Sequence, residues 1–215
     1  MTTATSERTE PVTERTRRTY DRVATWYDLQ EWLPEQLAFR KWRRQLWDLV
    51  PDGAVLEVGV GTGKNLRYYR EGHSVTAIDF SPKMLDRARR NADRRGIQAT
   101  LQLMDAQALE FPDSTFDSAV STFVFCSVPD AVLGLREAYR VVRPGGRVYL
   151  LEHVLSGWQP ARWLMQRLNG IVRAVHGANI SRDTVGNVEL AGFDLIDIRD
   201  LWGDVVKLIV AEKTV

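Results

Sequence analysis

Residues Leu56-Glu57-Val58-Gly59-Val60-Gly61-Thr62-Gly63 constrain this chain more than any other stretch. A short apolar run, Ala54–Val58, reads as a buried strand and leads directly into three alternate glycines. Glycine permits a tight turn and lets a ligand come close to the backbone. A plain strand-to-helix turn needs one glycine; three behind an acidic residue point to a ligand loop. A dinucleotide loop of the form Gly-x-Gly-x-x-Gly needs Gly or Ala at position 64, where this chain has Lys64. The acid in front suits a ligand carrying cationic groups rather than a pyrophosphate.

Strand and helix patterns alternate beyond the loop. Thr62–Arg70 reads as helix and Ser74–Asp79 as a second strand. Ser81-Pro82 is a helix start, with Ser at the N-cap and Pro in the first turn, and Gly96 is its stop. Gln98–Leu103 and Phe116–Thr122 read as strands, Asp130–Val142 as a capped helix and Arg147–Glu152 as a fifth strand after a turn at 143–146. Asp183–Ala191 is a short helix; Phe193–Leu201 and Val205–Glu212 form a final antiparallel pair. Repeated strand-helix units imply an α/β fold, a mostly parallel sheet with helices on both faces. Ligands of such sheets bind outside the carboxyl ends of the strands, where strand order reverses.

Composition bounds the rest. The 215 residues suit one domain at roughly 100–200 residues per domain. Lys plus Arg is 29 against 28 for Asp plus Glu, which excludes a general basic coat for nucleic acid. Cys126 is the single cysteine, and His73, His153 and His176 are too dispersed for a zinc site, so no metal is expected. No apolar run reaches the 18 or so residues of a membrane span, and the polar start is not a secretory signal; a cytoplasmic protein is expected. Residues 1–12 read as a disordered tail, 13–50 as a helical cap and 51–215 as the main domain, with a lid insertion at about 156–180. Seven Trp residues cluster outside the centre: Trp26, Trp32, Trp42 and Trp47 early, Trp158, Trp163 and Trp202 late.

The form Glu-x-Gly-x-Gly-x-Gly resembles the first motif of the class I S-adenosylmethionine-dependent methyltransferases. The likeness continues through Ala77-Ile78-Asp79-Phe80-Ser81, Met104-Asp105-Ala106, the fourth strand and the turn Arg140–Gly146, in the family's order. It implies a Rossmann-like seven-stranded sheet whose last strand is antiparallel, with S-adenosylmethionine as cofactor. Residue by residue it implies cofactor contact at Glu57, Gly59, Gly61, Gly63 and Thr122. Asp79 would take the ribose hydroxyls, Asp105 beside Ala106 the adenine amine, and Phe80 and Met104 the ring faces.

The acceptor is less constrained. The Asn-Pro-Pro-Tyr signature of base and side-chain amine methylation is absent after the fourth strand, so no nucleic-acid acceptor is expected. Tyr20–Ala24 and Trp26-Tyr27-Asp28 resemble the N-terminal helix shared by quinone and phospholipid methyltransferases, which implies contacts from Tyr20 to the cofactor and from Tyr27 at the reacting amine. Glu152-His153, the Gly-Thr-Gly-Lys-Asn-Leu loop and Asn179–Thr184 look more like bacterial phosphatidylethanolamine N-methyltransferases and related thiol methyltransferases. That reading makes His153 the general base, Glu152 an orienting or ammonium-binding acid and Arg182 a phosphate grip. The basic Trp-bearing stretch Trp158–His176, with Arg162, Arg167 and Arg173, reads either as a membrane-surface helix or as a lid packed on the core. Within a small-molecule or lipid acceptor class, the expected acceptor is the phosphatidylethanolamine head group at a membrane surface; a quinone carbon or a small thiol or amine is the alternative.

Overall fold

In the computed structural model, which describes residues 38–176 and 182–214, alternate residues of each central strand feed two different cores. Val55, Val75, Ala77, Val120, Tyr149 and Leu151 join one cluster, while Leu56, Val58, Ile78, Ala119, Val148 and Leu150 join the other. A sheet apolar on both faces must be covered on both. Helix α1 (Arg40–Trp47) and helix α2 (Pro82–Arg95) supply Trp42, Leu46, Trp47, Leu85 and Ala88 to the first face. Helix α3 (Ala131–Val141) and helix α5 (Thr184–Leu190) supply Leu135, Val141 and Val188 to the second. Between them in sequence lies α4, Gln159–His176.

The strands are β1 Gly53–Val58, β2 His73–Asp79, β3 Thr100–Leu103, β4 Phe116–Thr122, β5 Val142–His153, β6 Asp194–Trp202 and β7 Val206–Glu212, in the order β3-β2-β1-β4-β5-β7-β6. β7 is antiparallel to both neighbours and the other pairings are parallel. The expected sheet is therefore present. After β3 the chain returns to pair β4 with β1, which places the reversal of strand order at the end of the glycine-bearing strand.

Local chemistry sets the helix ends. Ser81 Oγ accepts from Met84 N at 3.2 Å, and Gly96 closes α2 in the left-handed conformation at φ 64°. Asp130 and Asp183 cap α3 and α5 through Leu133 N and Gly186 N.

Three expectations are corrected. Thr62–Arg70 is not an α-helix: it is a run of turns with one 3-10 segment, Leu66–Tyr68. Asn65 and Tyr69 point inward to the same buried carboxylate, Glu57, and that polar tie outweighs helical propensity. β3 starts at Thr100 rather than Gln98. The turn at 143–146 lies inside β5 as an excursion, since Phe116 pairs Val142 and Ser118 already pairs Arg147.

The tail, most of the helical cap, Tyr20 and Tyr27, and residues 177–181 of the lid lie outside the described residues. Among the described residues no helix is long and apolar enough to cross a membrane.

Candidate active site

The loop after β1 is pinned to β2 by its own backbone. Gly59 N and Val60 N both donate to Ile78 O at 2.9 Å, and Gly61 N donates to Asp79 Oδ2 at 2.8 Å. Gly59, Gly61 and Gly63 hold φ of 73°, 55° and 84°. Their reasons differ. A Cβ on Gly59 would sit 2.4 Å from the Val124 side chain, and one on Gly63 would sit 2.5 Å from Leu66, so these two glycines permit packing. A Cβ on Gly61 would meet nothing within 4 Å, because it would enter an open cleft.

That cleft encloses about 700 Å³, part of it open to solvent, which is within the usual range for small-ligand sites. Gly59, Gly61, Asp79, Phe80, Met104, Asp105, Ala106 and Thr122 all line it. Asp79, at the end of β2, also accepts from Ser81 N at 2.9 Å. A carboxylate accepts two hydrogen bonds side by side, which suits it to a pair of hydroxyls. Asp105 is oriented by Gln107, whose N–H donates to Oδ1 at 2.9 Å and whose amide spans both oxygens at 3.2 Å. The cleft thus offers two carboxylates at one end, apolar walls from Phe80, Met84 and Met104, and the Thr122–Val124 wall at the other. This donor and acceptor set, with the space before Gly61, fits the adenosine and amino-acid ends of S-adenosylmethionine.

Five other expected residues, Glu57, Gly63, Glu152, His153 and Arg182, are not among those that line the cleft. Gly63 lies behind the loop. Glu57 lies beneath it, fully buried, accepting from Asn65 Nδ2 at 2.7 Å and from the Tyr69 hydroxyl. Burial raises its carboxyl above the ordinary range, against the lowering effect of those two bonds. Glu152 is likewise fully buried at the end of β5. Its Oε1 accepts from Ser121 Oγ at 3.2 Å, Val124 N at 2.9 Å and Phe125 N at 3.0 Å, while Oε2 has no partner among the described residues. Burial pushes this carboxyl up to about 7. Glu152 thus braces the loop after β4. Arg182 does the same from the far side, donating through Nη2 to Val128 O at 2.6 Å and Pro129 O at 3.2 Å.

His153, half-buried at the end of β5, packs on Phe123 with ring centroids 4.7 Å apart and meets the edge of Phe39 at 6.3 Å. Phe123 lines the cleft and has φ 60°, a conformation that a bulky residue adopts at a cost of about 1–2 kcal/mol. Cys126 is buried, with its thiol pushed up to about 12, which suits packing.

Sequence reasoning missed Arg43, Asn65, Tyr69, Phe39 and Phe123. Arg43 was legible in part: it shares a helical face with Phe39, Leu46 and Trp47, and its exposed neighbours Arg40, Lys41 and Arg44 do not.

Residues 56–150 match the family model described as a methyltransferase domain. A phosphatidylethanolamine N-methyltransferase of Cereibacter sphaeroides is 46% identical over 103 residues, 47% of this chain and 51% of that protein. The match therefore spans about half the length of that relative. A demethylmenaquinone methyltransferase of Streptomyces griseus is 30% identical over 212 residues, 88% of this chain and 90% of that protein. Among solved structures, the cyclase SpnF superposes with a TM-score of 0.77 at 20% identity, covering 95% of this chain and 97% of that one, a likeness of fold. With the cleft and its two carboxylates in place at the carboxyl ends of β1, β2 and β3, the chain belongs to the S-adenosylmethionine-dependent methyltransferases.

Proposed function

We propose that the protein N-methylates the amine head group of phosphatidylethanolamine at a membrane surface. The observation that carries this reading is His153. Its imidazole lies directly behind Phe123, which walls the cleft where adenosine bound at Asp79 and Asp105 leaves room for the reacting end of the cofactor. When bound, the cofactor supplies a methyl group already activated on a sulfonium, so the chain has only to align a nucleophile, take its proton and exclude water. An alkylammonium with a pKa of about 10 must lose a proton to become a nucleophile. In this reading His153 accepts that proton at a ring nitrogen, beside the Phe123 and Phe39 rings that pack on it. Tyr27 completes the acceptor side in the reading carried from the related family. Arg182 braces the wall at Val128 and Pro129, so in this proposal it shapes the head-group pocket.

Helix α4 supports a lipid surface as the source of the acceptor. Among its described side chains Ala161, Met165 and Asn169, four residues apart, are half-buried, whereas Trp163, Leu164 and Leu168 are exposed. Arg162 and Arg167 share the exposed side, and Arg167 lies over the Trp163 ring at 5.0 Å. Trp and Arg together suit an interface between apolar chains and anionic head groups. The start of α4 is held by Asp204, which accepts from Ser156 Oγ at 2.8 Å and Gly157 N at 2.7 Å. β6 runs parallel to β5, so exposed Trp202 lies at the same end of the sheet as His153. The 46% relative named for phosphatidylethanolamine is in line with this reading.

The test is transfer of labelled methyl from S-adenosylmethionine into vesicles of phosphatidylethanolamine, with phosphatidylcholine vesicles as the control. Label is expected only in the former, with kcat for His153→Ala reduced about 100-fold or more. Absence of label from phosphatidylethanolamine, together with methylation of a demethylated quinone, would replace this reading by the one named for the Streptomyces griseus relative.

A further inference from the structure

Arg43 is the buried basic residue of α1, only 4% exposed, and it has no place in the assignments above. A buried guanidinium is costly unless its donors are satisfied. Here Nη1 donates to Asn65 Oδ1 at 3.1 Å and to the Thr122 hydroxyl oxygen, and the guanidinium lies 5.4 Å from the Phe123 ring centre. Asn65 is thereby oriented, with its oxygen toward Arg43 and its Nδ2 toward Glu57 at 2.7 Å and Thr122 Oγ1 at 2.9 Å.

The consequence falls on Thr122. A hydroxyl has two acceptor positions and one proton. Arg43 and Asn65 fill both acceptor positions, so Thr122 can act toward anything else only as a donor. Among the described residues none accepts that proton, and Thr122 lines the cleft on the β4 side. The adenosine-side carboxylates, Asp79 and Asp105, follow β2 and β3, on the other side of the glycine loop. A ligand with adenosine there extends its amino-acid end toward β4. Of the two charged groups at that end, an ammonium only donates, while a carboxylate only accepts.

We propose that Thr122 donates to the amino-acid carboxylate of the cofactor, and that Arg43 is the positioning residue that makes it an obligate donor. The helix α1 that caps the sheet is thereby part of cofactor recognition, through a contact that does not depend on the methyl acceptor.

Two ligands separate this from a merely structural role: S-adenosylhomocysteine, which carries the amino-acid tail, and 5′-methylthioadenosine, which lacks it. Calorimetric Kd values are the readout. Thr122→Val is expected to weaken S-adenosylhomocysteine by about tenfold or more and to leave 5′-methylthioadenosine within about twofold. Arg43→Met should show the same tail-dependent loss, Arg43→Lys should recover part of it, and Arg43→Met with Thr122→Val should lose little more than either alone. Equal weakening of both ligands by Thr122→Val would overturn the proposal, as would no weakening of either. A tail-dependent loss in Thr122→Val that is absent in Arg43→Met would overturn the role of Arg43. If Arg43→Met does not fold, Thr122→Val and Arg43→Lys decide the outcome.

Discussion

Asp79→Ala is expected to weaken S-adenosylhomocysteine about 100-fold or more, and 5′-methylthioadenosine by a similar factor. The carboxylate has two duties that the substitution removes together. It holds the glycine loop and the start of α2, through Gly61 N at 2.8 Å and Ser81 N at 2.9 Å. It also places a carboxylate on the wall of the cleft, the group that suits a ribose diol. Hydrogen bonds to a charged acceptor contribute about 1.5–3 kcal/mol each, so two of them account for about 3 kcal/mol or more of binding. Asp79→Asn should lie between, since its amide oxygen can still serve one backbone donor. The ligand pattern sets Asp79 apart from Thr122: loss at Asp79 follows the ribose and affects both ligands, whereas loss at Thr122 follows the amino-acid tail. Calorimetric titration of both ligands, with a thermal melt to show that the variant is folded, checks the result. An affinity within a few-fold of the unsubstituted protein would remove Asp79 from the ribose site.

The second large effect concerns stability and pH. Glu152 is fully buried, and burial raises its carboxyl from an ordinary 4.5 to about 7 despite donors from Val124, Phe125 and Ser121. The folded protein therefore holds a proton there that the unfolded chain releases between about pH 4.5 and 7. The resulting stabilisation is complete below the unfolded value and is lost as pH rises through the folded one. Its size is about 3 kcal/mol at one pKa unit per 1.36 kcal/mol. Glu152→Gln keeps an oxygen at Oε1 for the same donors and cannot ionise. Urea unfolding at pH 5 and pH 9 should show the difference between the two proteins shifting by about 3 kcal/mol in favour of Glu152→Gln at the higher pH. A pH-independent difference would mean that the backbone donors hold the carboxylate ionised in the folded state.

The parts of this molecule that were legible in its sequence are those set by periodicity and backbone necessity. Gly59 and Gly61 announced the loop, and Asp79 and Asp105, each at the end of an apolar strand, announced the two carboxylates that line the cleft. Ser81, Asp130 and Asp183 marked helix starts, because a short polar side chain at an N-cap has a local partner three residues away. What was not legible depends on tertiary placement. For Arg43 only the helical face it shares with Phe39, Leu46 and Trp47 was legible; its partners, Asn65 and Thr122, follow from the docking of α1 on the sheet. Glu57 looked like a cofactor ligand because it precedes the glycines. Strand alternation put it under the loop instead, where Asn65 and Tyr69 reach it. Those same two contacts replaced the expected helix over 62–70 with turns. The conformation of Phe123, at φ 60°, has no signal in residue type at all, since Gly or Asn would be the usual choice there.

The most direct test of the account is calorimetric titration of the intact chain with S-adenosylhomocysteine and, separately, with NAD. One S-adenosylhomocysteine per chain and no heat with NAD is the predicted result, because Lys64 takes the position where a dinucleotide loop has its third glycine and no α-helix opens behind Gly63. Saturable binding of NAD, with none of S-adenosylhomocysteine, would contradict the assignment of the cleft between Gly61, Asp79 and Thr122.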